Sequence, residues 1–219
     1  MSNDLIPSNF YEGYDNPYVK ALVQLVPFWG VAGELIEEKI RIMRSERLKY
    51  FFDKLENEEI ELTDELIENN EFLHSYFSTL NHVLKSRKKE KIELFALLLK
   101  SINRVENGVD FDEHEHFSKI LDDISIDEYF ILCKLRKLEE THPVIKGENS
   151  LVRAGKYWNE FKQDVISQYG INNDEFDSYM ARLERTGLYL RITGSYLDYT
   201  GNIGHTTKMF ERFNKILES

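Results

Sequence analysis

The residues best suited to chemistry in this chain lie in Asp110-Phe111-Asp112-Glu113-His114-Glu115-His116, where carboxylates and imidazoles mix. Asp112 and His116 are four apart, a spacing that places both on one face of a helix, where such a pair could ligate a divalent metal. The stretch lacks the HExxH arrangement, and its acids outnumber its imidazoles. The plainer expectation is a polar linker leading into a turn, with exposed histidines and no metal. His74 and His82, on one helical pattern, read as histidines at the edge of a core. Cys133 follows Tyr129-Phe130-Ile131-Leu132 and reads as a buried structural thiol. The sequence carries no phosphate loop, dinucleotide fingerprint or nucleophile elbow, and no strand precedes the glycine pair Gly30/Gly33. No nucleophile, base and orienting group can be nominated as a convergent set. The expectation is a protein that is not an enzyme, with no catalytic residue, no cofactor and no small-molecule substrate identified.

Charged residues come in blocks. Lys39, Arg41, Arg44, Arg47 and Lys49 are interleaved with Glu37, Glu38 and Glu46, the mark of a solvated helix face with internal pairs. Lys85, Arg87, Lys88, Lys89 and Lys91 form a tighter group at a helix junction and are the candidate polyanion-binding residues. Positive charge closing a helix is also the ordinary complement of its dipole. Between the two blocks runs an acidic stretch from Asp53 to Glu71, read as a solvated loop. A third feature is apolar: Leu25, Val26, Phe28 and Trp29 sit at a helix-helix corner. They are candidates for a protein or membrane interface, or for a cover over the core.

The whole chain limits these readings. Its 219 residues contain 39 acidic and 28 basic side chains, a formal charge of -11. Such a balance argues against coating nucleic acid non-specifically, which needs a basic face. One cysteine excludes an intramolecular disulfide. The first fifteen residues lack a basic and then apolar leader, and Lys20, Gln24, Pro27 and Glu34 interrupt the most apolar run. The expected location is the cytoplasm.

The elements that must position these groups are helical. Asn16-Pro17 opens a short helix. A long one is expected from Gly30 to about Asn57, carrying one apolar stripe through Ile36, Ile40, Met43, Leu48, Phe52 and Leu55. Thr63 caps a short helix, Glu71 to Ser86 repeats the period, and Ile92 to Val105 is apolar all round, as befits the centre of a bundle. Asn107-Gly108 marks a boundary between expected domains at 1–108 and 109–219. Beyond it, Ser125 and Glu128 form a capping box for a helix to Glu140. Helices are then expected over 150–169 and 174–186. A strand over 188–193 should return as 196–200, and Thr206 should cap a last helix. The fold class expected is mainly α, a helical bundle followed by a module with a small β-hairpin.

That second module, about residues 120–219, resembles a winged helix-turn-helix. The resemblance rests on three helices, a hairpin and a closing helix, with Met180-Ala181-Arg182-Leu183-Glu184-Arg185-Thr186-Gly187-Leu188 matching the end of the third helix and the lead into the wing. The first half, with apolar Val19 to Ile36 followed by the Ser45-Glu46-Arg47-Leu48 and Glu90-Lys91-Ile92 helices, weakly resembles uncharacterised bacterial helical proteins, some of which occur among plasmid, phage and anti-phage genes. A winged helix implies DNA binding, and Arg182, Arg185 and Arg191 would be its cations. The third helix, however, sets four acids against two bases, which phosphate would repel. The functional expectation is a non-catalytic bacterial interaction or regulatory protein acting through protein contacts, with a partner protein or a second copy of itself as a homodimer. The alternatives are a winged-helix DNA-binding regulator and a membrane-associating protein using the apolar 18–36 segment.

Overall fold

The computed structural model describes residues 13–26, 34–56, 63–102, 104, 108–192 and 202–218, with the side chains of the long second helix described from Lys39 onward. The chain forms two compact units, Met1–Asp122 and Asp123–Glu218. It is mainly helical, with one small antiparallel strand pair among the described residues. No described helix is long and apolar enough to cross a membrane.

Unit 1 contains α1 (Pro17–Gln24), α2 (Glu34–Glu56), α3 (Asp64–Glu68), α4 (Asn70–Lys85), α5 (Lys89–Lys100) and α6 (Phe111–Asp123), the last ending one residue past the boundary. Asn16 accepts from the Tyr18 and Val19 amides and caps α1, with Pro17 in the first turn. Two acids of the expected solvated loop work structurally: Glu56 accepts from the Asp15 and Asn16 amides at 2.6 and 2.9 Å, and Asp53 from the Tyr14 hydroxyl at 3.3 Å. Helix α5 is buried through Ile92, Leu94, Phe95, Ala96, Leu98 and Leu99, which places it at the bundle centre as its composition implies. Burying side chains of this size stabilises by roughly 2 kcal/mol each.

Two features of unit 1 depart from expectation. From Lys39 onward, where its side chains are described, the apolar stripe of α2 is buried at Leu48, Phe51, Phe52 and Leu55, whereas no side chain from Lys39 to Arg47 is buried. The reason is the length of its neighbours. Arg47 donates to the Leu84 carbonyl at the end of α4, and Tyr50 donates to Glu93 in the second turn of α5. The part of α2 before Arg47 therefore runs past the bundle end. The second departure is α6, which occupies the stretch expected to be a linker. Its apolar face (Phe117, Ile120, Leu121) buries His114 as well, so the boundary lies one helix later than Gly108.

Unit 2 contains α7 (Ile126–Thr141), α8 (Ser150–Gly155), α9 (Trp158–Tyr169), α10 (Asn173–Arg185), β1 (Tyr189–Arg191), β2 (Gly204–Thr206) and α11 (Lys208–Leu217). Ser125 and Glu128 make both halves of the capping box of α7, and Asn172 with Glu175 does the same for α10, one residue before the cap expected there. The single helix expected over 150–169 is two, because three-residue bonds from Lys156 to Arg153 and from Tyr157 to Ala154 close α8 beside Gly155, a weak helix former. Helices α9 and α10 meet through Trp158, Phe161 and Phe176, whose rings lie edge-on.

Gly187, at φ +75°, turns the chain from α10 toward β1 in a conformation that side chains disfavour. The return strand expected at 196–200 lies outside the described residues. The strand that pairs with β1 is β2, from a segment read as loop and cap, with Tyr189 opposite Thr206. Gly204 makes this possible, since the Tyr189 ring and the Leu190 carbonyl fill the space where a Cβ would stand. Thr207 rather than Thr206 caps α11.

Candidate functional site

Arg182 and Arg185 extend from the last turn of α10, and Arg191 ends β1. Arg182 does not project freely. Its Nε lies 3.1 Å from Glu128 Oε1 and its Nη2 donates to Oε2 at 3.2 Å. Glu128 is 1 % exposed, and it also accepts from the Ser125 amide at 2.7 Å in the capping box. A buried carboxylate with a guanidinium across it is neutralised where it stands. Arg191 is paired too, its Nη2 3.1 Å from Glu184. Arg185 joins Arg182, Thr186, Asp123, Ile124 and Glu128 around a cleft of about 260 Å³, where two cations face two acids. The three cations of the DNA reading are thus brought to one unit, and two of them are paired within it, Arg182 with buried Glu128 and Arg191 with part-exposed Glu184.

The polyanion candidates lie together at the α4/α5 corner of unit 1. Lys85, Arg87, Lys88 and Lys89 are exposed, and Lys89 stands 5.3 Å from the centre of the Tyr50 ring. Lys91 is half-buried and donates to the Asp122 carbonyl at 2.8 Å. Dipole compensation accounts for Lys85 at the end of α4 but not for its neighbours. Lys88 and Lys89 occupy the start of α5, where the dipole is already positive, and Lys88 provides no side-chain cap.

Of the interface candidates, Leu25 is 40 % exposed at the end of α1 and Val26 is half-buried. Phe28 and Trp29 lie outside the described residues. Unit 2 has apolar exposure that the sequence reading missed: Val144 at 72 % and Ile145 at 57 % in the α7–α8 loop, and Val152 on α8. This loop is pinned. Arg153 donates to the Glu139 and His142 carbonyls at 2.6 Å each, Lys156 pairs with Glu148, and Asn149 caps α8.

The metal reading separates geometrically. Asp112 and His116 share the exposed face of α6, while His114 points into unit 1 at 1 % exposure. Among the described residues no three His, Cys, Asp or Glu side chains are grouped as metal ligands. His114 Nε2 lies 3.4 Å from Thr79 Oγ1. Because the Thr79 hydroxyl donates to the Ser75 carbonyl, its lone pair faces the imidazole, so Nε2 carries the proton. His114 Nδ1 and, one turn on, the Ser118 hydroxyl are buried without hydrogen-bond partners. Burial, assisted by nearby His82, pushes His114 down to about 4, so it is neutral at pH 7. His82 stacks on Phe95 and its Nδ1 lies 3.2 Å from Asp122, a core-edge position, while His74 is exposed.

Unit 2 buries an acid that the sequence reading also missed. Glu139, near the end of α7, accepts from the Thr206 amide at 2.7 Å and from the Thr206 hydroxyl, and so fastens α7 to β2. Burial raises its pKa, opposed by the Thr206 donors and by His205 and Arg136. A signal existed, since Glu139 lies four residues beyond Leu135 on the buried stripe of α7. Cys133 is half-buried rather than fully so, with Sγ 3.3 Å from Asn214 Oδ1, and burial lifts its thiol to about 11. A thiol so raised is a poor nucleophile at neutral pH.

Comparison with protein-family models, with curated proteins and with solved structures returns no match, so the geometry alone carries the functional argument.

Proposed function

We propose that this is a non-catalytic interaction protein and that unit 2 is a winged-helix-like module used to contact protein rather than DNA. The order of α7, α9, α10, β1, β2 and α11 supports the module. The observation that carries the protein-binding reading is the commitment of Arg182 to buried Glu128 and of Arg191 to Glu184. Each arginine would meet a phosphate with part of its charge already offset by a neighbouring carboxylate, and that acid would repel the phosphate. The pinned loop bearing Val144 and Ile145, with Val152 beside it, offers apolar surface on the same unit.

The test pairs two measurements. A gel shift on random duplex at low salt should show no binding, and native capture from cells should recover a protein partner. The substitutions Val144→Asp and Ile145→Asp should reduce that capture without changing helicity. Salt-dependent duplex binding, lost when Arg182, Arg185 and Arg191 are neutralised, would overturn the reading in favour of a DNA-binding regulator.

A further inference from the structure

The first half of α2 has the marks of a surface awaiting another helix. Between Lys39 and Arg47 no side chain is buried, Met43 is 49 % exposed and Ile42 47 %. The helix continues past the ends of α4 and α5 for about 20 Å at 1.5 Å per residue. A helical stretch of this length is marginal in water on its own, and isoleucine in it gives little intrinsic support.

Ile40 and Met43 stand three apart and form one short apolar strip. Lys39 and Glu46 flank it on one side, seven residues apart, and neither has an ionic partner among the described residues. These spacings are self-complementary in one orientation. When two copies of α2 lie antiparallel with Ile40 facing Met43 of the second copy, Lys39 of each falls opposite Glu46 of the other. A parallel pair would instead bring Lys39 toward Arg44, like against like.

We infer that the chain forms a homodimer through the overhanging half of α2, paired antiparallel about a two-fold axis at the Ile40/Met43 layer. A two-fold axis makes each favourable pair occur twice, which is how a short helix face becomes specific. This deepens the reading of an interaction protein and rests on a different unit from the Val144/Ile145 surface, so either can fail alone.

Sedimentation of the full chain tests it. The unaltered protein should sediment as a concentration-dependent dimer at up to about 100 μM, the range of a small interface. Lys39→Glu and Glu46→Lys should each weaken dimerisation about tenfold or more, since each places like charges together twice. The double variant Lys39→Glu/Glu46→Lys should restore it, and Met43→Glu should abolish it. Circular dichroism on each variant separates loss of association from loss of fold. A protein that stays monomeric at that concentration overturns the inference. So does a dimer indifferent to the single reversals, or a double variant no stronger than either single one.

Discussion

His114 in unit 1 and Glu139 in unit 2 are both withdrawn from water, yet burial moves them in opposite directions. Each is driven toward its uncharged form. The base drops to about 4 and the acid rises above the ordinary carboxylate value. Their surroundings differ as well. His114 keeps one long contact to Thr79 and one orphaned nitrogen, while the Glu139 carboxylate receives two donors from Thr206. The same physical cost is left standing in one unit and opposed, though not overcome, by hydrogen bonds in the other. The two units should therefore answer acid in opposite senses.

The largest expected effect is the response of unit 1. His114 is depressed in the folded state, so its contribution is present above about pH 6.5 and lost as pH falls toward 4, an effect of roughly 3 kcal/mol. Segment-resolved hydrogen exchange, corrected for intrinsic rates, should show protection falling in α4 and α6 over this window. His114→Gln should flatten that response. Glu139 has the reverse sign. Its raised folded value favours the protonated form, so unit 2 should hold or gain protection on acidification and lose that gain as pH rises through the raised value. Parallel loss in both units would break the comparison.

A smaller effect sharpens it. Glu139→Ala strands the Thr206 amide and hydroxyl and should cost unit 2 about 2 kcal/mol in chemical unfolding. Glu139→Gln keeps an acceptor, so it should cost about half as much and remove the acid response. Smallest is the contrast between two neighbouring arginines on α10. Arg182→Ala leaves buried Glu128 without its cation and should cost about 1.5 kcal/mol, discounted for the solvent around Arg182, whereas Arg185→Ala should stay within about 0.5 kcal/mol. Equal losses at the two positions would show that the Glu128 pair contributes nothing special.

The sequence was legible where local chemistry decides structure. The helix entry at Asn16-Pro17, the caps at Thr63 and Ser125 and the buried helix α5 all followed from residue type and spacing. It was misleading where a segment's surroundings decide. The acid-rich run from Asp110 reads as linker because its apolar face is short, and only contact with unit 1 shows His114 on the buried side. The stripe on α2 continues past the helices that could cover it, and no periodicity reveals how long a neighbour will be. The arginines on α10 could be counted, but the commitment of Arg182 to Glu128, 54 residues away, belongs to tertiary structure. The pairing of β2 with β1 depends on a close approach at Gly204 that leaves no room for a Cβ, which alternation of residue types does not reveal.

The bonds that close unit 2 also set a timetable for its synthesis. Tyr129 on α7 donates to Asn214 on α11 across 85 residues, and Glu139 waits for Thr206 across 67. The described residues of unit 1 all come from the chain up to Asp122. As the chain leaves the ribosome, the first unit can be finished while α7 to α10 still stand without their closing helix. For that interval Tyr129 lacks the Phe210 and Phe213 rings that close over it, and apolar surface left open in this way is the kind that exposes a nascent chain to aggregation.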